Sequence, residues 1–392
     1  MNSGVVMLLS NPFRPDPRVL KEATALQSAG YPVTIICWDR SAELPQEERH
    51  VSGVQVIRIQ SVPSSYGLGM RQLTRIPRFW AAVWLLLNQL KPAIVHCHDF
   101  DTLPVGLAWG KLHKRPVIYD AHEYFAELCR PRLTGPLGIL IYYGIQFMEM
   151  LCARLASGVI TVDKLLAEIF QKQNRRVIVI GHYPSRHLVN SPAPVFSRQD
   201  LHLLYMGRLS RDRGLPVYLS ILRCLIQAGV NARLILAGVF TPPNEEASIR
   251  LLLADIEDRV EIKGWIPYES IPDLLYQCDI GLVILQPKPR FINALPVKLF
   301  EYMAAGLPVI ASNFPAISYL VATYDCGLLV EPEAAPEVIA DQISRWCQSP
   351  SIPVRLGKNG RQAIMHFHNW ELLQQKLVLL YQELLADKSN NT

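Results

Sequence analysis

The chain is poorer in several features than its 392 residues would suggest. It has eight cysteines but no Cys-x-x-Cys pair and no regular spacing among them. That excludes a disulfide framework, and the cysteines read as buried thiols of a reducing compartment. No basic run is interleaved with aromatics and no nucleic-acid module is recognisable, so nucleic acid is not an expected partner. No stretch offers an uninterrupted transmembrane span of about 20 apolar residues. FWAAVWLLL (79–87) is too short, and LTGPLGILIYYGIQFMEMLC (133–152) is broken by Gly, Pro and Glu149, so both read as buried or interfacial helices. MNSGVVMLLSNPFRPDP has no basic region ahead of its short apolar stretch and reads as a first strand rather than a signal peptide, which predicts a cytoplasmic location. Acidic residues are missing altogether between Arg49 and His98.

What is present is a chain half hydrophobic, long enough for two to three domains, with a mild excess of positive charge (+5) that favours acidic ligands or anionic surfaces. Short β-branched runs alternate with helical patterns, the mark of parallel sheets with crossover helices. The first half reads as strands at 5–9, 32–38, 54–59, 93–98, 116–121, 158–162 and 177–181. Strands restart at 202–207 and continue at 232–238, 260–264, 279–285, 308–312 and 327–330. The Pro- and Ser-rich stretch 184–200 reads as a linker. These features predict an α/β protein of two doubly wound, Rossmann-like domains facing a central cleft. The expected division is 1–185, a linker at 186–200, 201–368, and a C-terminal helix over 369–392 that packs back on the first domain. Ligands of such sheets bind outside the carboxyl ends of the strands, often at helix N-termini.

Two stretches carry candidate chemistry. In LLYMGRLSRDRGLPVYLSIL (203–222) a strand ends at Gly207, Arg208 follows, and Arg213-Gly214 opens a helix. Two guanidinium groups at a strand-to-helix turn suit a diphosphate, although a solvated basic turn reads the same way. In FINALPVKLFEYMAAGLPVIAS (291–312) a helix is expected to start after Pro296 and break at Gly306. Glu301 stands one turn in, three residues after Lys298. It either accepts from vicinal hydroxyls, such as those of a ribose, or forms an ordinary surface pair with Lys298.

The second stretch, with its acidic or amide residue, seven others, a Glu and an AxGxPVIAS-like end, resembles the signature of GT4-type retaining glycosyltransferases of the GT-B fold (group 1). GRLSRDRG, AIVHCHDFDTLPVG (93–106), VIYDAHE (117–123) and VEIKGWIPYESIPDLLYQCDIGLVILQP (260–287) are similar to further motifs of that family, in the family's order. The resemblance implies transfer of a sugar from a nucleotide sugar, UDP- or GDP-linked, to a glycan, lipid-linked or small-molecule acceptor, in cell-surface polysaccharide or glycolipid assembly, without a metal or other cofactor. It implies that Arg208 and Arg213 hold the donor diphosphate and that Glu301 grips the ribose. His122 lies near the reacting centre. Lys263 and Gly264 fall where the base is read, while Asn293, Ala294, Leu295 and Lys298 complete the donor site. Asn293 replaces an acidic residue that reads the donor sugar, losing the charge but keeping an acceptor and a donor. The loop SNPFRPDPR (10–18) has prolines where many family members have glycines.

Other signals bear on the acceptor side. His98 ends a strand, Glu123 could orient His122 or serve as a helix N-terminal carboxylate, and Arg18 either faces the cleft or follows Asp16 as a helix cap. Asp99-Phe100-Asp101 and His96-Cys97-His98-Asp99 are incomplete as metal-ligand patterns, and strand alternation separates Cys97 from the two histidines. YGLGMRQLTRIPRFWAAVWLLL (66–87) combines spaced arginines with aromatics. It reads either as an amphipathic helix on an anionic membrane face or as a partly buried helix with a basic rim. A sugar-nucleotide epimerase of the same fold and a non-catalytic nucleotide-sugar-binding scaffold are the alternatives.

Overall fold

A computed structural model describes residues 4–14, 16–64, 74–190, 196, 200–292 and 294–390. It divides into two compact units, 1–182 with 373–392, and 183–372.

The first unit is built on an eight-stranded sheet. Its strands are β1 (Val5–Leu9), β2 (Val33–Trp38), β3 (Glu47–Arg49), β4 (Gln55–Ile59), β5 (Ile94–His98), β6 (Val117–Ala121), β7 (Gly158–Thr161) and β8 (Val177–Val179), in the order β3-β4-β2-β1-β5-β6-β7-β8. Only β3 runs antiparallel. β1, β5, β6 and β7 are buried along their whole length, as parallel strands covered on both faces must be. The chain order reverses between β1 and β5, the switch point where a crevice opens at the strand ends. Helices α1 (Pro17–Ser28), α2 (Ile76–Leu90), α3 (Leu103–Leu112), α4 (Phe125–Cys129) and α5 (Gly135–Leu155) follow in chain order. α1 starts at a Pro under an Asp16 cap, whose side chain accepts from the Arg18 amide. α2 buries Phe79, Val83 and Leu87 against the sheet, and Phe79 stacks on Trp38.

The second unit repeats the plan with six strands: β9 (Leu201–Met206), β10 (Ala232–Ala237), β11 (Val260–Gly264), β12 (Ile280–Val283), β13 (Val309–Ser312) and β14 (Gly327–Val330). All pairings are parallel, in the order β11-β10-β9-β12-β13-β14, so its switch point lies between β9 and β12. Two apolar clusters pack on its two faces, one including Leu299, Phe300 and Tyr302, the other Leu219, Leu222 and Ile343.

The expected division shifts at its edges. Residues 183–185 belong to the second unit, and 186–190 within the expected linker form a short helix, Arg186–Asn190, whose Leu188 and Val189 join that unit's core. Residues 191–195 and 197–199 of the linker lie outside the described residues. The final helix, Trp370–Asn390, belongs to the first unit from Leu373 on. Tyr381 is fully buried there and bonds His96 (2.6 Å).

Candidate active site

In the first unit, alternation along β5 puts His96 and His98 on one face, and the β5–β6 register sets His98 beside Asp120. Asp120 Oδ2 lies 3.4 Å from His96 Nε2, 2.9 Å from His98 Nδ1 and 3.2 Å from His122 Nε2. The rings of His96, His98, His122 and His182 stack in sequence, with centroids 4.3, 5.5 and 5.8 Å apart. Glu22 of α1 approaches His96 Nε2 at 3.7 Å. Arg18 is clamped by both oxygens of Asp16 and reaches His122 Nδ1 at 3.4 Å. Of the two readings of this loop, the helix cap at Asp16 is observed, and the same carboxylate holds Arg18 beside His122.

The charge states follow from burial and neighbours. Burial opposes charge on Asp120, but the His122 charge and the imidazole hydrogen bonds outweigh it and hold the carboxyl well below its usual range. Burial likewise opposes charge on His122, and Asp120 reverses it, so His122 is raised. Burial, then the neighbouring His96, lowers His98 to about 4, and burial, then Arg18, lowers His182 to about 3. Burial and the Asp120 charge push Glu22 well up, keeping it a neutral acid. The neighbours thus favour the charged forms of His122, Asp120, Arg18 and Asp16. Glu123 is exposed, and the partners of the His122 ring are Asp120, His98 Nδ1 (3.2 Å) and Arg18 rather than Glu123.

One ligand atom each from Glu22, His96, His98 and Asp120 lies within 4.8 Å of the others, which raises the question of a metal. The ring geometry does not suit it. His96 and His98 are stacked at 4.3 Å with planes only 17° apart. A ligating nitrogen points its lone pair in the ring plane, and lone pairs in two stacked, nearly parallel planes do not converge on one ion. Cys97 lies on the other face, its thiol pushed up by burial.

In the second unit the helix Val297–Ala305 begins at Pro296 and ends at Gly306 in the left-handed conformation (φ 85°). Seven of its nine residues are buried, and only Val297 and Glu301 are not. Lys298 is among the buried ones, against the surface-pair reading. Its Nζ has no hydrogen-bond partner among the described residues and sits 3.6 Å from the centroid of Tyr205 on β9. Burial, then the nearby Arg213 charge, lowers its pKa well below the usual lysine value, and Glu301 only partly counters this. Tyr268 also feels Glu301: burial, then that carboxylate, pushes its phenol to about 12.

The turn after β9 sets the cations. Gly207 adopts φ 122°, and a Cβ there would stand 3.0 Å from Lys298 Nζ. Gly214 (φ 85°) lets the chain pass Ile284, since a Cβ would fall 2.0 Å from the Ile284 carbonyl oxygen. Arg208 is exposed, and Arg213 rests over the Phe291 ring at 5.3 Å. Neither guanidinium forms an ion pair with a described residue. Asp212 between them is turned to Lys288 (2.6 Å) and Arg290 (2.7 Å).

The remaining expectations for this unit separate. Gly264 adopts φ 65° with open space around it, while Lys263 is paired with Glu261 at 2.7 Å; both lie on the edge strand β11. The Ala294 amide already donates to the Phe291 carbonyl, which removes it as a donor toward a sugar, and Leu295 is exposed. Asn293 lies outside the described residues. Sequence reasoning missed Asp120, Glu22, His182 and Tyr381. Only Asp120 had a signal, two residues before His122 on a strand.

Residues 190–363 match the family model for glycosyl transferases group 1, and residues 15–181 match that for the glycosyl transferase 4-like domain. The chain belongs to the group 1 glycosyltransferases. This glycosyltransferase is 28% identical over 288 residues to the putative colanic acid biosynthesis glycosyltransferase WcaL of Escherichia coli, covering 72% of this chain and 69% of that one. Sucrose-phosphate synthase from Thermosynechococcus elongatus superposes with a TM-score of 0.76 at 20% identity, over 98% of this chain and 100% of that one. Anabaena HepE in complex with UDP-glucose superposes with a TM-score of 0.69 at 17% identity, over 97% and 99%. The glycosyltransferase has the GT-B fold.

Proposed function

We propose that the protein is a retaining glycosyltransferase that takes its sugar from a nucleoside diphosphate sugar and works without a metal. The second unit holds the donor: Arg208, Arg213 and Lys298 receive the diphosphate, and Glu301 accepts from the ribose hydroxyls. The first unit takes the acceptor, with His98 and Arg18 beside His122. The observation that carries this reading is Lys298, whose buried amine has no hydrogen-bond partner among the described residues and feels the nearby Arg213 charge, at a turn where neither Arg208 nor Arg213 forms an ion pair with a described residue. Such a site lacks an anion, and a diphosphate supplies it. The UDP-glucose in the HepE complex supports a nucleotide-sugar donor. WcaL, as a putative colanic acid biosynthesis enzyme, supports a polysaccharide acceptor.

In the reaction the acceptor hydroxyl oxygen bonds to the anomeric carbon as the bond from that carbon to the phosphate oxygen breaks. The cations stabilise the charge growing on the leaving diphosphate, which takes the acceptor proton. Attack on the face that the diphosphate leaves retains the anomeric configuration. The acceptor is a glycan or lipid-linked sugar, and the enzyme works at the cytoplasmic face of a membrane.

The test is a thermal-shift screen with UDP-, GDP- and ADP-sugars, followed by transfer assays with product stereochemistry. A selective shift, a retained anomer and loss of transfer in both Arg208→Ala and Glu301→Ala are expected. Full activity in both variants refutes the site, an inverted product refutes retention, and isomerised donor without an acceptor indicates an epimerase.

A further inference from the structure

The second candidate for a membrane surface is not the arginine-rich stretch around α2. Residues 65–73 of that stretch lie outside the described residues, and α2 spends Phe79, Val83 and Leu87 on its own core, leaving only Leu85 largely exposed among its large apolar side chains. α5 does the reverse. It is 21 residues long and apolar, yet only 22% of its most apolar window is buried. Leu137, Leu140, Phe147, Leu151 and Leu155 recur at helical spacing along one exposed stripe, widened by Ile139, Tyr143 and Met148.

Its single carboxylate is kept off that stripe. Glu149 is fully buried and accepts from the Tyr119 hydroxyl (2.9 Å) and from the Phe125 and Ala126 amides (3.1 and 3.0 Å). Those bonds pin the opposite face of α5 to β6 and α4, so the helix cannot leave the fold to cross a bilayer without breaking them. Charge differs at the two ends of the stripe: before α5 Arg130 is paired with the exposed Glu127, and the positive excess lies at the C-terminal end. Arg130 is exposed just before α5 and Arg154 in its last turn. Beside Leu155 a recess of about 410 Å³ is lined by Lys111, Lys114, Arg115 and Arg176, with Asp387 the one acid, paired to Arg176. An apolar stripe with no acid of its own, ending in a basic recess, matches the acyl chains and anionic headgroups of a lipid surface; the one exposed acid beside the helix, Glu127, is engaged by Arg130 and Tyr142.

We propose that α5 lies in the interface of an anionic lipid bilayer, its exposed stripe against the acyl chains and the Lys111–Lys114–Arg115 recess on headgroup phosphates. The inference rests on the membrane-side location proposed above and names the surface that holds the protein there. An in-plane helix of this length spans about 30 Å of membrane surface, and burying its apolar side chains supplies the affinity that charge alone does not.

The test is flotation of the full-length protein with phosphatidylcholine vesicles and with vesicles containing phosphatidylglycerol. Binding to the anionic vesicles at low salt, weakened at high salt, is expected. L140E/F147E should lower it by about tenfold or more, since two buried apolar side chains are lost to the membrane. K111E/K114E should abolish the preference for anionic vesicles without creating an acid on the stripe. All four side chains are exposed, and the nucleotide-sugar thermal shift, measured without vesicles, checks that each variant is folded. It also separates failure of the donor reading from failure of this one. No flotation of the unaltered protein, or flotation unchanged by L140E/F147E, overturns the proposal. So does a dimer in sedimentation that L140E/F147E dissolves while flotation is absent, because the stripe is then covered by a second copy of the chain.

Discussion

Asp120 and Lys298 are both buried charges at the strand ends of a doubly wound sheet, but their surroundings are opposite. Asp120 has three imidazole nitrogens within 3.4 Å. Lys298 has the face of Tyr205 and the Arg213 charge nearby, and the Glu301 carboxylate offsets them only in part. In the first unit the protein supplies its own counter-charges, so the cluster holds its shape and protonation with nothing bound. In the second the counter-charge from Glu301 is only partial, and a bound anion would supply the rest. A self-compensated cluster suits the positioning of a group such as His122, and an incompletely compensated one suits capture of an anion.

The contrast breaks most readily at Arg213. Arg213→Ala should cut transfer by about 10²–10³-fold, the usual scale for one lost group opposite developing charge; a steady-state assay that finds less than tenfold would move the diphosphate elsewhere. His122→Asn should cost about 10²-fold. The pH profile sharpens this. Because Asp120 raises His122, the stability of that pair is complete below the ordinary histidine pKa and is lost as pH rises through the raised value, and activity that needs the imidazolium follows the same limb. Asp120→Asn should move that limb to lower pH by roughly a unit, which a purely structural role would not do. Lys298→Met should act with opposite signs: a ligand-free Tm higher by about 2–4 °C, because an incompletely compensated buried cation is removed, together with a smaller donor-induced shift. Unchanged donor binding would contradict the role of Lys298. Smallest is Tyr381→Phe, which loses one hydrogen bond to His96, about 1 kcal/mol, read as a lower denaturation midpoint with transfer intact.

Local chemistry was legible in the residues themselves. Pro296 and Gly306 bracket a helix, Gly207 and Gly214 bracket a basic turn, and Pro17 follows a capping Asp16. The alternation of β5 separates His96 and His98 from Cys97, and the two-sheet plan follows from strands alternating with helices. Environment was not legible. For Lys298 the sequence leaves a surface pair with Glu301 open beside a place in the donor site, and only the packing of seven residues of its helix shows it to be buried. Glu123 reads as the partner of its neighbour His122, but strand geometry gives that place to Asp120, two residues away. Between α2 and α5, similar apolar helices, composition could not say which one the core would consume.

By itself the sequence determined most of the strand and helix pattern, which residues share a face, and which family motifs stand in which order, because these depend on backbone preferences and spacing over a few residues; the short strand β3 and the helix Arg186–Asn190 were not read from it. Only the tertiary structure decided that His96 meets Tyr381 across 285 residues of chain, that Glu22 joins Asp120, and that Lys298 is left without a hydrogen-bond partner among the described residues. Those meetings depend on how sheets and helices stack, and the resulting burial and neighbouring charge set the protonation state on which the chemistry runs.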